Sequence, residues 1–219
     1  ISTCLAMVIL PSSFVRYFTS RRSNGFHLCL PDMGVDTLTR ERDPMANVLV
    51  LYSTTDGHTV EICKRIKRTV ESRGDIVKLL DLKDGADLSS ESFDKIVIGA
   101  SIRYGKHQPL VKDFIDKHQA ILEAHPNALF SVNVVARKPE KNQPETNPYL
   151  QKFLKKISWQ PQLLDVFAGR IDYPSLGFVD KHMIRFIMWM TKGPTDPNAV
   201  VEFTDWDRVE AFAEKIAEM

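Results

Sequence analysis

The chain has 219 residues, 43% of them hydrophobic, with 29 basic side chains against 28 acidic ones. That length holds material for one buried core, and the charge balance argues against nucleic acid as a partner. The three cysteines, Cys4, Cys29 and Cys63, show neither paired metal spacing nor a disulfide framework, and no run of 18 or more apolar residues offers a membrane-spanning helix.

Residues 1–44 stand apart from the rest of the chain. An apolar run, Leu5 to Leu10, precedes Arg16, Arg21 and Arg22, the reverse of a signal peptide's order, and no periodicity persists. The segment reads as an unassigned extension, disordered or lying ahead of a true start at Met45, with a leader or membrane-proximal arm as the alternative. It holds five basic and four acidic groups, which leaves 24 of each sign for residues 45–219.

From Met45 the pattern becomes regular. Asn47 to Tyr52 is an apolar, β-branched run that predicts a strand buried on both faces. Val60 to Ser72 predicts a helix, with Val60, Ile62, Cys63, Ile66 and Val70 near a 3.6 period and Gly74 ending it. Strands follow at Ile76–Leu80 and Lys95–Ala100, a helix at Pro109–Glu123, a strand at Asn127–Ala136, a helix at Pro148–Ile157, a strand at Leu163–Ala168 and a last helix at Val209–Glu218. This alternation implies βαβ units and an α/β fold: a flavodoxin-like, doubly wound parallel sheet of five strands, with its ligand beyond the carboxyl ends of the strands.

Three loops leave those ends. Ser53-Thr54-Thr55-Asp56-Gly57-His58-Thr59 has hydroxyls, a glycine and a helix N-terminus but no lysine, which suits a single phosphate monoester such as that of FMN. An ordinary capping loop is the plainer alternative. Ser101-Ile102-Arg103-Tyr104-Gly105-Lys106 offers Tyr104 to flank a flavin ring. Asn133 and Val134 open the third loop, suited to the polar edge of the isoalloxazine, and Arg137, Lys138 and Lys141 form a basic cluster suited to substrate carboxylates. Residues 176–197 exceed a minimal fold of this type. Within them Val179, Met183, Phe186, Ile187 and Met190 share one helical face, which suggests an interfacial helix or an apolar ligand wall, or else a helix packed on its own core.

Two blocks, Val97 to Gly105 and Ser131 to Lys141, closely resemble the quinone-dependent protoporphyrinogen IX dehydrogenases of the flavodoxin-like type, with further matches at Ser53-Thr54, Asp56-Gly57, Tyr173-Pro174 and Phe203-Thr204-Asp205-Trp206. The resemblance spans residues 45–219. It implies a long-chain fold whose fifth strand is split by an insertion, with Leu163–Ile171 and Val200–Phe203 as its halves. It also implies oxidation of protoporphyrinogen IX to protoporphyrin IX in haem biosynthesis, with electrons passing through FMN to menaquinone or ubiquinone. By carry-over, Thr55, Asp56, Gly57, His58 and Thr59 bind the FMN phosphate beside Ser53 and Thr54. Ser101, Arg103, Tyr104, Gly105, Asn133 and Val134 line the flavin. Peripheral contact through residues 178–190 with the cytoplasmic face of the bacterial inner membrane completes the expectation. An electron-carrier flavodoxin is the first alternative, although such carriers are usually acidic; an NAD(P)H-dependent quinone reductase and a flavin-free scaffold are the others.

Overall fold

The computed structural model describes residues 45–90 and 92–219. The reading of residues 1–44 as an extension therefore lies outside the described residues. Five parallel strands form the main sheet in the order β2-β1-β3-β5-β6: β1 (Asn47–Ser53), β2 (Ile76–Asp81), β3 (Lys95–Arg103), β5 (Asn127–Val132) and β6 (Leu163–Phe167). A two-residue strand, β4 (Lys106–His107), folds back antiparallel on the end of β3. The helices are α1 (His58–Ser72), α2 (Pro109–Ala124), α3 (Pro148–Leu154), α4 (Phe178–Met190) and α5 (Trp206–Glu218).

The strands are apolar throughout because both faces of the sheet are covered. Along β1, Leu49 and Leu51 enter a core shared with α2 and α3, while Val48 and Val50 enter the opposite core under α1 and α5. On the second face Phe130, Phe167 and Phe212 pack ring to ring at centroid distances of 5.5 to 5.9 Å. Gly99 of β3 lies against that cluster. A Cβ there would stand 2.3 Å from the Phe130 ring, so the strand carries glycine where its neighbours are bulky. Buried Lys95 opens β3 and donates to the carbonyls of Ala217 (2.7 Å) and Ile216 (3.2 Å), holding the carboxyl end of α5 against the sheet.

The order of the strands decides where a ligand fits. The chain leaves β1 toward β2 on one side, then returns to place β3 on the other. The crevice between the carboxyl ends of β1 and β3 is therefore the topological switch point.

The expected split fifth strand takes a different form. β6 ends at Phe167, and after Ala168-Gly169 the chain forms β7 (Arg170–Asp172), which pairs antiparallel with β8 (Val200–Glu202) in a separate two-stranded ribbon. The segment between β7 and β8 carries α4 and builds a small core of its own from Ile171, Tyr173 and Met188. The apolar residues at 163–171 and 200–203 were legible as strands, but short apolar runs do not reveal which partner they pair with.

Candidate active site

The phosphate-type loop follows β1, and Gly57 closes it with a left-handed φ of 80° at the N-cap of α1. An L-residue is strained there, and nothing lies within 4 Å of where a Cβ would point. No side chain caps α1. The hydroxyl of Thr54 instead accepts the Gly57 N–H (3.0 Å), and Asp56 is drawn off to Arg103 (2.6 Å). The plainer reading, a self-capped loop, thus fails on geometry. The helix presents uncapped N–H groups and the positive end of its dipole to the crevice.

Buried polar atoms without a partner gather around the same strand ends. They are the hydroxyls of Ser53 and Thr59, the hydroxyl of Ser101 on β3, and the side-chain amide nitrogen of Asn133 just past β5. Buried donors are nearly always satisfied in a finished structure, and two further unpartnered atoms, His118 Nε2 and Trp159 Nε1, lie elsewhere in the fold. The Asn133 carbonyl oxygen is already engaged, accepting from the N–H of Ala136 (3.0 Å) and the amide of Asn147 (3.3 Å).

The His58 ring already has a partner. Thr204 gives its one hydroxyl proton to the carbonyl of Ala168 (2.9 Å), so the 2.6 Å contact from His58 Nε2 must be a donation to Thr204. The ring is turned onto Thr204 and the edge of Trp206, with Nδ1 buried and left as an acceptor. Burial pushes the imidazole below its ordinary pKa, against the pull of Glu202 at 3.9 Å. The side chain therefore has no proton to offer an anion.

The second loop is more ordered than the sequence suggested. Ser101 to Arg103 continue β3, and Tyr104-Gly105 make a two-residue hairpin turn into β4, with φ of 49° and 74°. Positive φ at both central residues matches the twist of a hairpin, and glycine at the second position makes it affordable. Arg103 joins three elements: it pairs with Asp56 of the phosphate-type loop and with Asp180 of α4, and its guanidinium lies 5.5 Å from the Tyr104 ring centroid. The Tyr104 hydroxyl also donates to Asp180, holding that carboxyl below the usual range with help from Arg103. The insertion helix is thereby clasped to the cofactor-side loops.

These pieces border one cavity of about 870 Å³. Thr55, Asp56, His58, Arg103, Tyr104, Gly105, Asn133 and Val134 line it as expected. Ser53, Thr54, Gly57, Thr59 and Ser101 do not line it; the first two support the loop, and Thr59 and Ser101 are set behind the surface with Ser53. Ile184, Ile187 and Met188 of α4 also line it, in keeping with the apolar ligand wall offered for that helix, while sequence reasoning missed Tyr149 and Lys152 of α3 and Arg170 and Asp172 of β7. It also missed Gln108, whose amide donates to the Thr54 carbonyl (3.2 Å) and the Thr55 hydroxyl (3.1 Å) and so props the loop. A signal was present. Helices that follow strands begin at the carboxyl edge of the sheet, so Gln108-Pro109 and Asn147-Pro148, both helix-start signatures, place first-turn residues beside the ligand.

The basic cluster is corrected. Arg137 donates to the carbonyl (3.1 Å) and hydroxyl (2.8 Å) of Thr191 and stands over the Phe203 ring, tying the third loop to the end of α4. It is not free for a substrate carboxylate, and Lys138 and Lys141 do not line the cavity.

His107 of β4 lies behind this wall, 3.0 Å from the Ser131 hydroxyl and stacked near Phe153, and burial pushes its pKa down to about 4. An unfolded histidine titrates near 6.5, so between those values the unfolded chain binds the proton and the folded one does not. Stability from this group is complete above about pH 6.5 and is lost as pH falls toward 4, on the order of 3 kcal/mol in all. Chemical denaturation of wild type and His107→Gln across pH 4 to 7 is expected to show a shallower slope for the variant. Parallel profiles would mean that His107 is not held neutral.

With this geometry in hand, the comparisons are decisive. The flavodoxin-domain family pattern covers residues 49–198. Two quinone-type protoporphyrinogen IX dehydrogenases are close relatives. That of Leishmania major is 43% identical over 170 residues, covering 77% of this chain and 74% of the relative. That of Escherichia coli K12 is 40% identical over 171 residues, covering 78% and 94%. The chain belongs to this family. Among solved structures, oxidised flavodoxin 1 of Bacillus cereus matches at 15% identity and a TM-score of 0.47, covering 79% of this chain and 98% of the flavodoxin. In this chain the cavity at the switch point is lined both by the loop that leads into α1, whose helix start has no side-chain cap, and by apolar residues of α4.

Proposed function

We infer that this chain is a protoporphyrinogen IX dehydrogenase that uses FMN and a quinone acceptor. The observation that carries the reading is that one cavity joins a hydroxyl-rich anion cradle to an apolar wall, in a chain of that family. The residues fit FMN. The open space over Gly57 and the uncapped start of α1 suit a phosphate monoester, with the unpartnered hydroxyls of Ser53, Thr59 and Ser101 set behind the loop within reach of one that settles into it. Arg103 is already held by Asp56 and Asp180, so the phosphate would be met by dipoles and hydroxyls rather than by a dedicated cation. Tyr104 and Val134 line the cavity on the β3 and β5 sides and would hold the flavin ring, with the Asn133 amide free to donate to it.

When bound, FMN supplies two-electron redox chemistry between a reduced macrocycle and a quinone. The chain's own part is positioning and exclusion of water. Ile184, Ile187 and Met188 present hydrocarbon to the cavity, and the Arg103–Asp180 and Arg137–Thr191 contacts hold that wall in place. In the net reaction protoporphyrinogen IX loses six electrons and six protons, and three quinones become quinols.

By this reading the enzyme works as a peripheral membrane protein on the quinone-bearing membrane, in a bacterial cell the cytoplasmic face of the inner membrane. Support comes from α4. Large apolar side chains of this helix are turned outward: Phe178 is 79% exposed, Trp189 71% and Phe186 55%. The helix packs on a small core of its own only through Met188, with Ile184 partly buried beside it, which leaves the rings outside that contact.

The test uses the full chain loaded with FMN under anaerobic conditions, following porphyrin fluorescence from protoporphyrinogen IX with and without a menaquinone analogue. Quinone-dependent porphyrin formation is expected. Bound FMN without porphyrin formation would overturn the reading, and NAD(P)H consumption with the same quinone would replace it with a reductase.

A further inference from the structure

The cofactor cavity does not end at Tyr149. Gly105, Lys106, Tyr149 and Lys152 also border a second cavity of about 230 Å³, completed by the first turn of α2 and the residues around the end of α3. Lys112 and Lys156 line it as well, so four lysines border one concavity. The buried Phe153 ring lies in its wall, beside His107, which burial keeps neutral.

Charge makes this arrangement unusual. Lys112 has a partner in Asp116, but among the described residues Lys106, Lys152 and Lys156 have none. The N-terminus of α2 adds to the same field. Its cap residue, Gln108, makes no capping bond because its amide is committed to the Thr54–Thr55 loop. Like charges gathered around a concavity, with a helix's positive end beside them, favour an anion there.

The inference rests on the dehydrogenase reading, whose substrate is an apolar macrocycle bearing two propionate carboxylates. We propose that the groove ringed by Lys106, Lys112, Lys152 and Lys156 receives those propionates, with the macrocycle extending past Tyr149 into the cofactor cavity. Two features favour this choice. The groove and the cavity share Gly105, Lys106, Tyr149 and Lys152 as lining residues, so a ligand reaching past Tyr149 would touch both. Arg137, the strongest basic candidate from the sequence, is committed to Thr191. Lysines suit the task, since each offers rotatable donors to a carboxylate whose position shifts as the macrocycle flattens on oxidation.

The experiment uses the full chain at saturating FMN, in detergent free of lipid, with protoporphyrinogen IX and its dimethyl ester as paired substrates. In the Lys112→Gln/Lys156→Gln variant, KM for the free acid is expected to rise by about tenfold, while KM for the ester stays at the unmodified protein's value. Lys112→Arg/Lys156→Arg should restore most of the loss. Binding of the product protoporphyrin IX and its dimethyl ester, read by fluorescence quenching, should follow the same pattern without any turnover. Equal effects on acid and ester, or none on either, would overturn the proposal. So would unchanged KM for the acid together with lost binding to phosphatidylglycerol vesicles, which would assign the lysines to lipid headgroups. If the unmodified protein makes no porphyrin, the dehydrogenase reading fails by itself. Product binding then decides the groove: lysine-dependent binding of the acid alone keeps it, and binding indifferent to the lysines ends it.

Discussion

Thr59→Val is expected to weaken FMN binding by about ten- to a hundredfold and to leave the apoprotein at least as stable as wild type. Thr59 sits in the first turn of α1, is 1% exposed, and its hydroxyl has no partner within the protein. Valine has nearly the same shape, so packing against the sheet is kept. Losing a buried hydroxyl that bonds to nothing removes a desolvation penalty of about 1–3 kcal/mol from the folded apoprotein. The same hydroxyl facing a phosphate would form a charge-assisted bond of roughly 1.5–3 kcal/mol, which the variant forfeits. The two effects have opposite signs, which separates a binding role from a structural one. Calorimetric titration of FMN into apoprotein, paired with thermal melts, reads both. Unchanged FMN affinity would remove Thr59 from the cradle, and a markedly lower apo melting temperature would mean that the hydroxyl is already satisfied. Thr55→Val should do less, because backbone N–H groups of the loop can serve the phosphate in its place.

The cradle was readable in the sequence because its chemistry is local. A hydroxyl-rich loop between an apolar strand and an amphipathic helix needs no tertiary information to suggest an anion site. The order of the sheet was readable for a related reason: β1, β3 and β5 are so uniformly apolar that only a sheet covered on both faces accommodates them. What escaped was set by long-range pairing. Nothing near Asp180 announces that it will meet Arg103 and Tyr104, some 76 positions earlier. Nothing local says that Val200–Glu202 will pair with Arg170–Asp172 instead of extending the main sheet. Arg137 and Lys138 look alike in a string of letters, yet one is committed to Thr191 and the other is not. His58 shows the same limit in a single residue. Its place in the loop was foreseen, and the direction of its ring was decided by Thr204, at the far end of the domain.

The α4 face gives the other large effect. Replacing Phe178, Phe186 and Trp189 together with serine is expected to reduce binding to anionic vesicles by about a hundred- to a thousandfold. Each ring carries about 1.5–3 kcal/mol of burial, and only part of that is realised at the boundary between headgroups and acyl chains. The fold should survive, because these side chains point outward while the helix is held from its other side. Met188 is buried, Arg185 donates to the Thr195 carbonyl (2.9 Å), the Tyr173 hydroxyl donates to the Pro194 carbonyl (2.6 Å), and Arg137 grips Thr191. FMN affinity should therefore hold, and so should activity with a short-chain, water-soluble quinone. Activity with a long-chain quinone dissolved in vesicles should fall with binding. This split follows from placing Ile184, Ile187 and Met188 on the cavity side of the helix and the three rings on the other, so that one helix separates the site from the lipid. Vesicle flotation and paired quinone assays check it. Unchanged vesicle binding would sink the membrane role of α4, and a change in oligomeric state on substitution would assign the face to a second copy of the chain instead.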